Sequence, residues 1–230
     1  MKHQSASPGL LKAEQICVSK MLITLEEKVV PEHTALLVID IQNDFCHGEG
    51  VQGKRGFDTS EVQGMVPRLL KFLSEARQYH PSIIHVCHLY NEWSISTVWM
   101  ERQMKFPEHL RLLCVEGTWG AEFYQILPKA GDCIVTKHRY SAFPGTDLEV
   151  ILKSRGIKTL ILTGVATPVC VESTARDGFM KDFFIVIVKD CVAARSVEEH
   201  NAALSIMSKH FGKIATSEEI VSAWAKQVKN

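Results

Sequence analysis

No charge of one sign dominates this sequence of 230 residues, in which Lys+Arg and Asp+Glu both number 26. Without such an excess there is no field to draw the chain to nucleic acid or an anionic membrane, so the expected partner is a small molecule. No apolar run approaches a membrane span, and the N-terminal MKHQSASPGLLKAEQICVSK lacks the continuous apolar stretch of a signal peptide; neither insertion nor secretion is expected. The seven cysteines, at positions 17, 46, 87, 114, 133, 170 and 191, are odd in number and show no CxxC or Cys/His spacing. That excludes the usual signatures of zinc sites and redox pairs and fits reduced thiols in a cytoplasm. No repeat, low-complexity tract or Pro/Gly-rich linker divides the chain, which is read as an N-terminal arm over residues 1–33 and one domain over 34–230.

What is present is rhythm. ALLVID, SIIHVCHLY, DCIVTK, TLILTG, FFIVIVKD and a short KIA read as strands, and they alternate with helical stretches over residues 58–78, 147–154 and 168–181 and from Val197 and Ser217. Strands apolar at nearly every position are buried on both faces, so the pattern predicts a three-layer α/β/α architecture, a parallel sheet of about six strands between helices. Thr146 with Glu149, Ser196 with Glu199 and Thr216 with Glu219 match capping boxes at three helix starts. One long irregular stretch, residues 91–120, holds three of the four tryptophans, as a loop shaping a site over the sheet would.

In an open parallel sheet the ligand crevice lies beyond the carboxyl ends of the strands. LLVID stops at Asp40, CIVTK stops at Lys137, and TLILTGVATPVC turns into a helix bearing Cys170. Thr167 suits an N-cap and Pro168 a first helical position, which puts the thiol in the first turn, where unpaired N–H groups and the helix dipole favour a thiolate. An acid, an amine and a thiol at one crevice would make an activated nucleophile. A cysteine at a helix start is also often a small buried residue, and an aspartate at a strand end a cap, so spacing alone leaves both readings open.

DIQNDFC, the strand-end lysine and TGVATPVCVESTARDGF together resemble the isochorismatase-like cysteine hydrolases, over roughly residues 34–215, with KHRYSAFPGTDLEVILKSRGIKTLILTGVATPVCVESTARDGF most similar to the ureidoacrylate amidohydrolase branch. Biuret and carbamoylsarcosine amidohydrolases are its neighbours. The resemblance implies a doubly wound, Rossmann-like sheet of order 3-2-1-4-5-6 and a catalytic triad of Asp40, Lys137 and Cys170. It implies a cis peptide at Val165–Ala166 and an oxyanion hole of the Ala166 and Cys170 N–H groups. The implied activity is hydrolysis of a C–N bond in a small ureido or carboxamide substrate; other amides, or a catalytically silent binding protein, are the alternatives. Asn91, Trp93, Tyr140 and Phe45 are the implied substrate contacts, with Trp119 and Glu116 weaker candidates and Arg139 and Arg176 candidates for a substrate carboxylate. No cofactor is expected. The Asp-x-His metal pattern of the nicotinamidase branch is missing, and His85 and His88, as HxxH on a strand, face opposite ways, so no metal is expected. A homodimer or homotetramer is implied.

Overall fold

In the computed structural model, residues 21–227 are described. Six strands, β1 (Thr34–Ile39), β2 (Ser82–His88), β3 (Cys133–Lys137), β4 (Thr159–Val165), β5 (Phe184–Ala193) and β6 (Lys213–Ala215), form one sheet in the order β3-β2-β1-β4-β5-β6. Every neighbouring pair is parallel. The expected strand number, direction and order are all found.

The pleat sorts the core into two layers. On one face Leu36 and Val38 of β1, Ile161 of β4 and Val186 and Val188 of β5 pack with Val62, Met65, Leu69 and Phe72 of the helix Ser60–Ala76 and with Ile220 and Trp224 of the helix Ser217–Gln227. On the other, the alternate residues Ala35, Leu37, Ile39, Leu160, Leu162, Ile185 and Ile187 meet Leu148 and Leu152 of the helix Leu148–Ser154, Ala175 of Glu172–Met180, and Ala203 and Met207 of Val197–His210. Each fully buried Leu, Ile or Val side chain contributes about 1.5–3 kcal/mol. That is why β1 and β4 are buried at every position, whereas the edge strand β3 leaves Ile134 half exposed.

Element boundaries follow local chemistry, with corrections. The helix expected over residues 58–78 is α-helical over Ser60–Ala76 and ends in a tighter turn, Arg77–Tyr79. The Ser196 and Thr216 hydroxyls cap as expected, accepting from Glu199 N (3.2 Å) and Glu219 N (3.1 Å). The box expected at Thr146 does not form, because Glu149 is drawn instead to Lys153 and Lys181, each 2.6 Å away, and Thr146 turns its hydroxyl to Ala142 O. Of the expected arm, residues 1–20 lie outside the described residues. Within 21–33, Val29 is fully buried, and its carbonyl accepts from the Trp224 indole, which stacks on Phe72. No described helix is long and apolar enough to cross a membrane.

The sheet order reverses between β1 and β4, from which the chain winds outward in opposite directions. A crevice opens there at the carboxyl ends. The segment 91–120, expected to be irregular, contributes the helix Thr97–Gln103 and a short turn Glu108–Leu110 across that end of the sheet.

Candidate active site

The hydrogen-bonding requirements of DIQNDFC explain most of its polar letters. Asp40 follows the last residue of β1 with φ 55, a left-handed conformation that aspartate tolerates better than most residues. Its N–H is held by Val86 O (2.9 Å), and its side chain is wholly buried. The following residues brace the walls. Gln42 accepts from His88 N (2.7 Å) and donates to His88 O and Ala121 O (2.9 and 2.7 Å). Asn43 donates to Trp119 O (2.8 Å), while Asp44 accepts from Val51 N and Cys114 N (2.9 and 2.6 Å).

Lys137 ends β3, two strands from β1 and so about 10 Å away at ordinary strand spacing. Its long side chain spans the gap and brings Nζ to 2.8 Å from Asp40 Oδ2. Around the same nitrogen stand Arg139 O at 3.1 Å, His88 Nδ1 at 3.3 Å and Cys170 Sγ at 3.5 Å. Lys137 and Asp40 have no exposed surface, and Cys170 is 5 % exposed. The three residue types expected at the crevice therefore meet.

Their proton affinities are set by burial and by one another. Burial alone would lower Lys137, but the adjacent Asp40 carboxylate outweighs it and raises it, keeping the ammonium. Asp40 is raised, burial prevailing over the opposing pull of Lys137. A carboxylate with raised proton affinity is a better base, and it faces a thiol. Cys170 is pushed far above an ordinary thiol, first by burial and then by the Asp40 charge, with Lys137 pulling the other way. Burial and the adjacent carboxylate favour a resting thiol, against the thiolate that a helix start favours. His88 is held well below its usual value by burial and by Lys137, so its ring is neutral and Nδ1 accepts from the ammonium.

The turn bearing Cys170 also differs from expectation. The Val165–Ala166 peptide is cis, as the resemblance implies. The residues Thr167–Val171 then form a wide π-helical turn before the regular helix Glu172–Met180, in place of one continuous helix from Pro168. Thr167 does not cap it. Its hydroxyl pairs with His200 Nδ1 at 2.9 Å, and Val169 N is satisfied by Ala166 O at 2.9 Å. Behind the cysteine, Thr174 donates to Cys170 O (2.7 Å) and accepts from Ala142 N (3.1 Å), tying the turn to the loop after β3.

Cys170 and Ala166 line a cavity of about 170 Å³, and the expected contacts Phe45 and Tyr140 are in its wall. Asn91 and Trp93 are not. They border a separate, shallower depression with Ser94, His138 and Arg139. Asn91 Oδ1 holds a turn by accepting from Trp93 N and Ser94 N, its Nδ2 donates to Glu116, and the turn throws Trp93 outward, 90 % exposed. Trp119 is likewise a partly exposed neighbour of His47. Arg139 donates to Ser94 O and His138 O, and Arg176 pairs with Glu172, so both are spent structurally.

Trp99 and Tyr90, which sequence reasoning missed, join Phe45 and Tyr140 in the aromatic wall. The Trp99 ring centroid lies 4.6 Å from that of Tyr140, 5.8 Å from Tyr90 and 6.0 Å from His88. The one available signal was the tryptophan content of residues 91–120. Four cations missed in sequence, Arg55, Arg102, Lys105 and Arg195, line the cavity with two acids, Asp58 and Glu199. Among the described residues no three His, Cys, Asp or Glu side chains are grouped to hold a metal ion. His85 is committed to Asp132 (3.0 Å), on the face of β2 opposite His88.

Comparison with known proteins agrees with this fold. The isochorismatase domain family matches residues 34–219. The ureidoacrylate amidohydrolase of Acinetobacter baylyi is 33% identical over 213 residues, covering 86% of this chain and 86% of that protein. Among solved structures, an isochorismatase-like hydrolase from Alkaliphilus metalliredigens superposes with TM-score 0.69 at 30% identity, covering 83% of this chain and 96% of the other. The N-carbamoylsarcosine amidase of Thermoplasma acidophilum gives TM-score 0.65 at 28% identity over 80% and 96%. With the family matching residues 34–219 and a curated relative 33% identical along most of both chains, the chain belongs to the isochorismatase family.

Proposed function

We propose that this protein is a cysteine-dependent amidohydrolase that cleaves a C–N bond of a small ureido acid of the ureidoacrylate type, with Cys170 as nucleophile, Asp40 as base and Lys137 as the fixed cation. The observation that carries the reading is the convergence of the three side chains, with Lys137 Nζ 2.8 Å from Asp40 Oδ2 and 3.5 Å from Cys170 Sγ. In the first half-reaction the Cys170 proton passes to Asp40 as Sγ attacks the carbonyl carbon. The N–H groups of Ala166 and Cys170 receive the oxyanion, each worth about 3–4 kcal/mol in comparable sites. Asp40 returns the proton to the leaving nitrogen, the C–N bond breaks, and the acyl group stays on sulfur. Water then gives its proton to Asp40 and attacks the thioester, and that proton restores the thiol as the acid leaves. Lys137 holds the negative charge in place throughout.

The choice of a ureido acid rests on similarity to ureidoacrylate amidohydrolases along most of both chains and on the excess of four cations over two acids in the cavity wall, which favours an anionic substrate. Phe45 and Tyr140 are the expected wall contacts that line the same cavity. A homodimer or homotetramer belongs to the same reading and would cover the exposed Trp93, Val98 and Met104. A reducing compartment such as the cytoplasm suits a thiol nucleophile and six free cysteines among the described residues. The test is ammonia release from ureidoacrylate, biuret, N-carbamoyl amino acids and nicotinamide, with and without chelator. Turnover of a ureido acid, insensitive to chelator and absent in Cys170→Ala, is the expected result; turnover that survives the substitution would refute the nucleophile.

A further inference from the structure

Two side chains fasten the turn that carries Cys170 from outside the cavity. One is Thr174, through Cys170 O and Ala142 N. The other is His200, which no step of the proposed reaction uses. Ala166, Pro168, Val169 and Cys170 line the cavity, whereas the buried Thr167 hydroxyl meets His200 Nδ1 at 2.9 Å, and neither Thr167 nor His200 is in the cavity wall. Among the described residues this is the one hydrogen bond of that hydroxyl. A hydroxyl proton needs an acceptor, and a neutral imidazole with its proton on Nε2 offers one at Nδ1. Burial holds His200 below its usual value, with Glu61 pulling the other way, so the neutral ring is favoured. The support is rigid. His200 lies near the start of the helix Val197–His210, its N–H bonded to Ser196 O at 3.0 Å, and shares a helix face with Ala203 and Leu204, which pack on the sheet. Within the turn, Val169 N and Val171 N both donate to Ala166 O, at 2.9 and 3.3 Å, so a shift of Thr167 is passed to its neighbours. A π-helical turn is uncommon and depends on such outside ties for its shape.

We propose that His200 is a positioning residue: by holding the Thr167 hydroxyl it fixes the Ala166 and Cys170 N–H groups where the oxyanion forms. It acts only through Thr167. Donors stabilise a developing oxyanion when they are aimed at it beforehand, and a displacement of about 1 Å can cost about a hundredfold in rate. The inference rests on the amidohydrolase reading for the hydrolytic step, but the role of the bond requires only that Cys170 add to a carbonyl. Asparagine sets its amide about where Nδ1 stands, glutamine reaches one bond further, and leucine offers no acceptor. The three replacements therefore separate the hydrogen bond from the bulk of the ring.

The test sets thiol chemistry that forms an oxyanion beside thiol chemistry that does not. Succinic semialdehyde adds to Cys170 as a hemithioacetal, in which sulfur bonds to the carbonyl carbon and the thiol proton moves to the oxygen. Methyl methanethiosulfonate transfers its methylthio group to the same sulfur and releases methanesulfinate, with no carbonyl involved. Mass spectrometry of the Cys170 peptide gives the methylthiolation rate, and protection by the aldehyde gives its Kd. His200→Leu, and Thr167→Val from the other side of the bond, should each weaken the aldehyde and lower kcat on a ureido acid about ten- to hundredfold, with KM and the methylthiolation rate within about threefold. The double variant should be no worse than either single one, because both remove the same bond. His200→Asn should restore most of the loss and His200→Gln should not. If His200→Leu does not fold, Thr167→Val and the amide pair give the same reading. An unchanged aldehyde Kd in folded variants, additive losses, an equal fall in methylthiolation, or no adduct in wild type would overturn the positioning role. Loss of aldehyde affinity in a protein whose wild type releases no ammonia would leave that role standing and remove the hydrolase reading alone.

Discussion

Lys137→Met tests the reasoning about the buried ion pair most directly. The substitution keeps most of the side-chain volume but removes the cation 2.8 Å from a carboxylate with no exposed surface. Stripping one partner from a buried pair costs about 3–5 kcal/mol, because the other charge remains without compensation. At about 2–4 °C per kcal/mol for a chain of this size, the melting temperature should fall by roughly 6–20 °C. The remedy is specific. Asp40→Asn on top of Lys137→Met removes the stranded charge, so the double variant should melt well above Lys137→Met, although neither turns substrate over. Calorimetric scans of wild type, both single variants and the double variant form a cycle whose coupling should be about 1–3 kcal/mol. Additive effects, or a Lys137→Met protein that melts with wild type, would refute the claim that the two charges stabilise each other. pH supplies a second reading. Lys137 is raised from 10.5, so its contribution is complete below that value and is lost as pH climbs through the higher folded value. Wild type should lose stability in that alkaline window more steeply than Lys137→Met.

Other outcomes follow from the same geometry. Because Asp40 raises the Cys170 thiol, Asp40→Asn should speed its alkylation by iodoacetamide at pH 8 while abolishing hydrolysis; a slower reaction would show that Asp40 lowers the thiol instead. Gln42→Leu leaves His88 N–H and two carbonyls unpaired and should cost about 2–4 kcal/mol by denaturant titration, with a loss below 1 kcal/mol counting against the bracing role. Trp224→Ala should cost about 3–5 kcal/mol, since it deletes a fully buried ring stacked on Phe72 at 5.9 Å. Light scattering on the eluted protein should report two or four chains; a monomer at micromolar concentration would remove the oligomer from the proposed function.

Sequence by itself determined what depends on local pattern. Apolar runs every few tens of residues specified six parallel strands, because only strands covered on both faces are apolar throughout. Since ligands bind beyond the carboxyl ends of such strands, reading the residue that closes each run found Asp40 and Lys137, and the strand–turn–helix after β4 found Cys170. Tertiary structure decided everything that depends on what faces what. Trp93 looked like a wall of the site and Trp99 did not; a turn closed by the Asn91 side chain sends the first into solvent and lets the next helix carry the second over His88. Arg139 and Arg176 were the visible candidates for a carboxylate, yet they bond to backbone and to Glu172, and the cations that line the cavity come from segments far apart in the chain. The state of the thiol was equally illegible. A helix start next to a lysine suggests a thiolate, but proton affinity is set by burial and by a carboxylate 130 positions away, and neither exists until the sheet has closed around them.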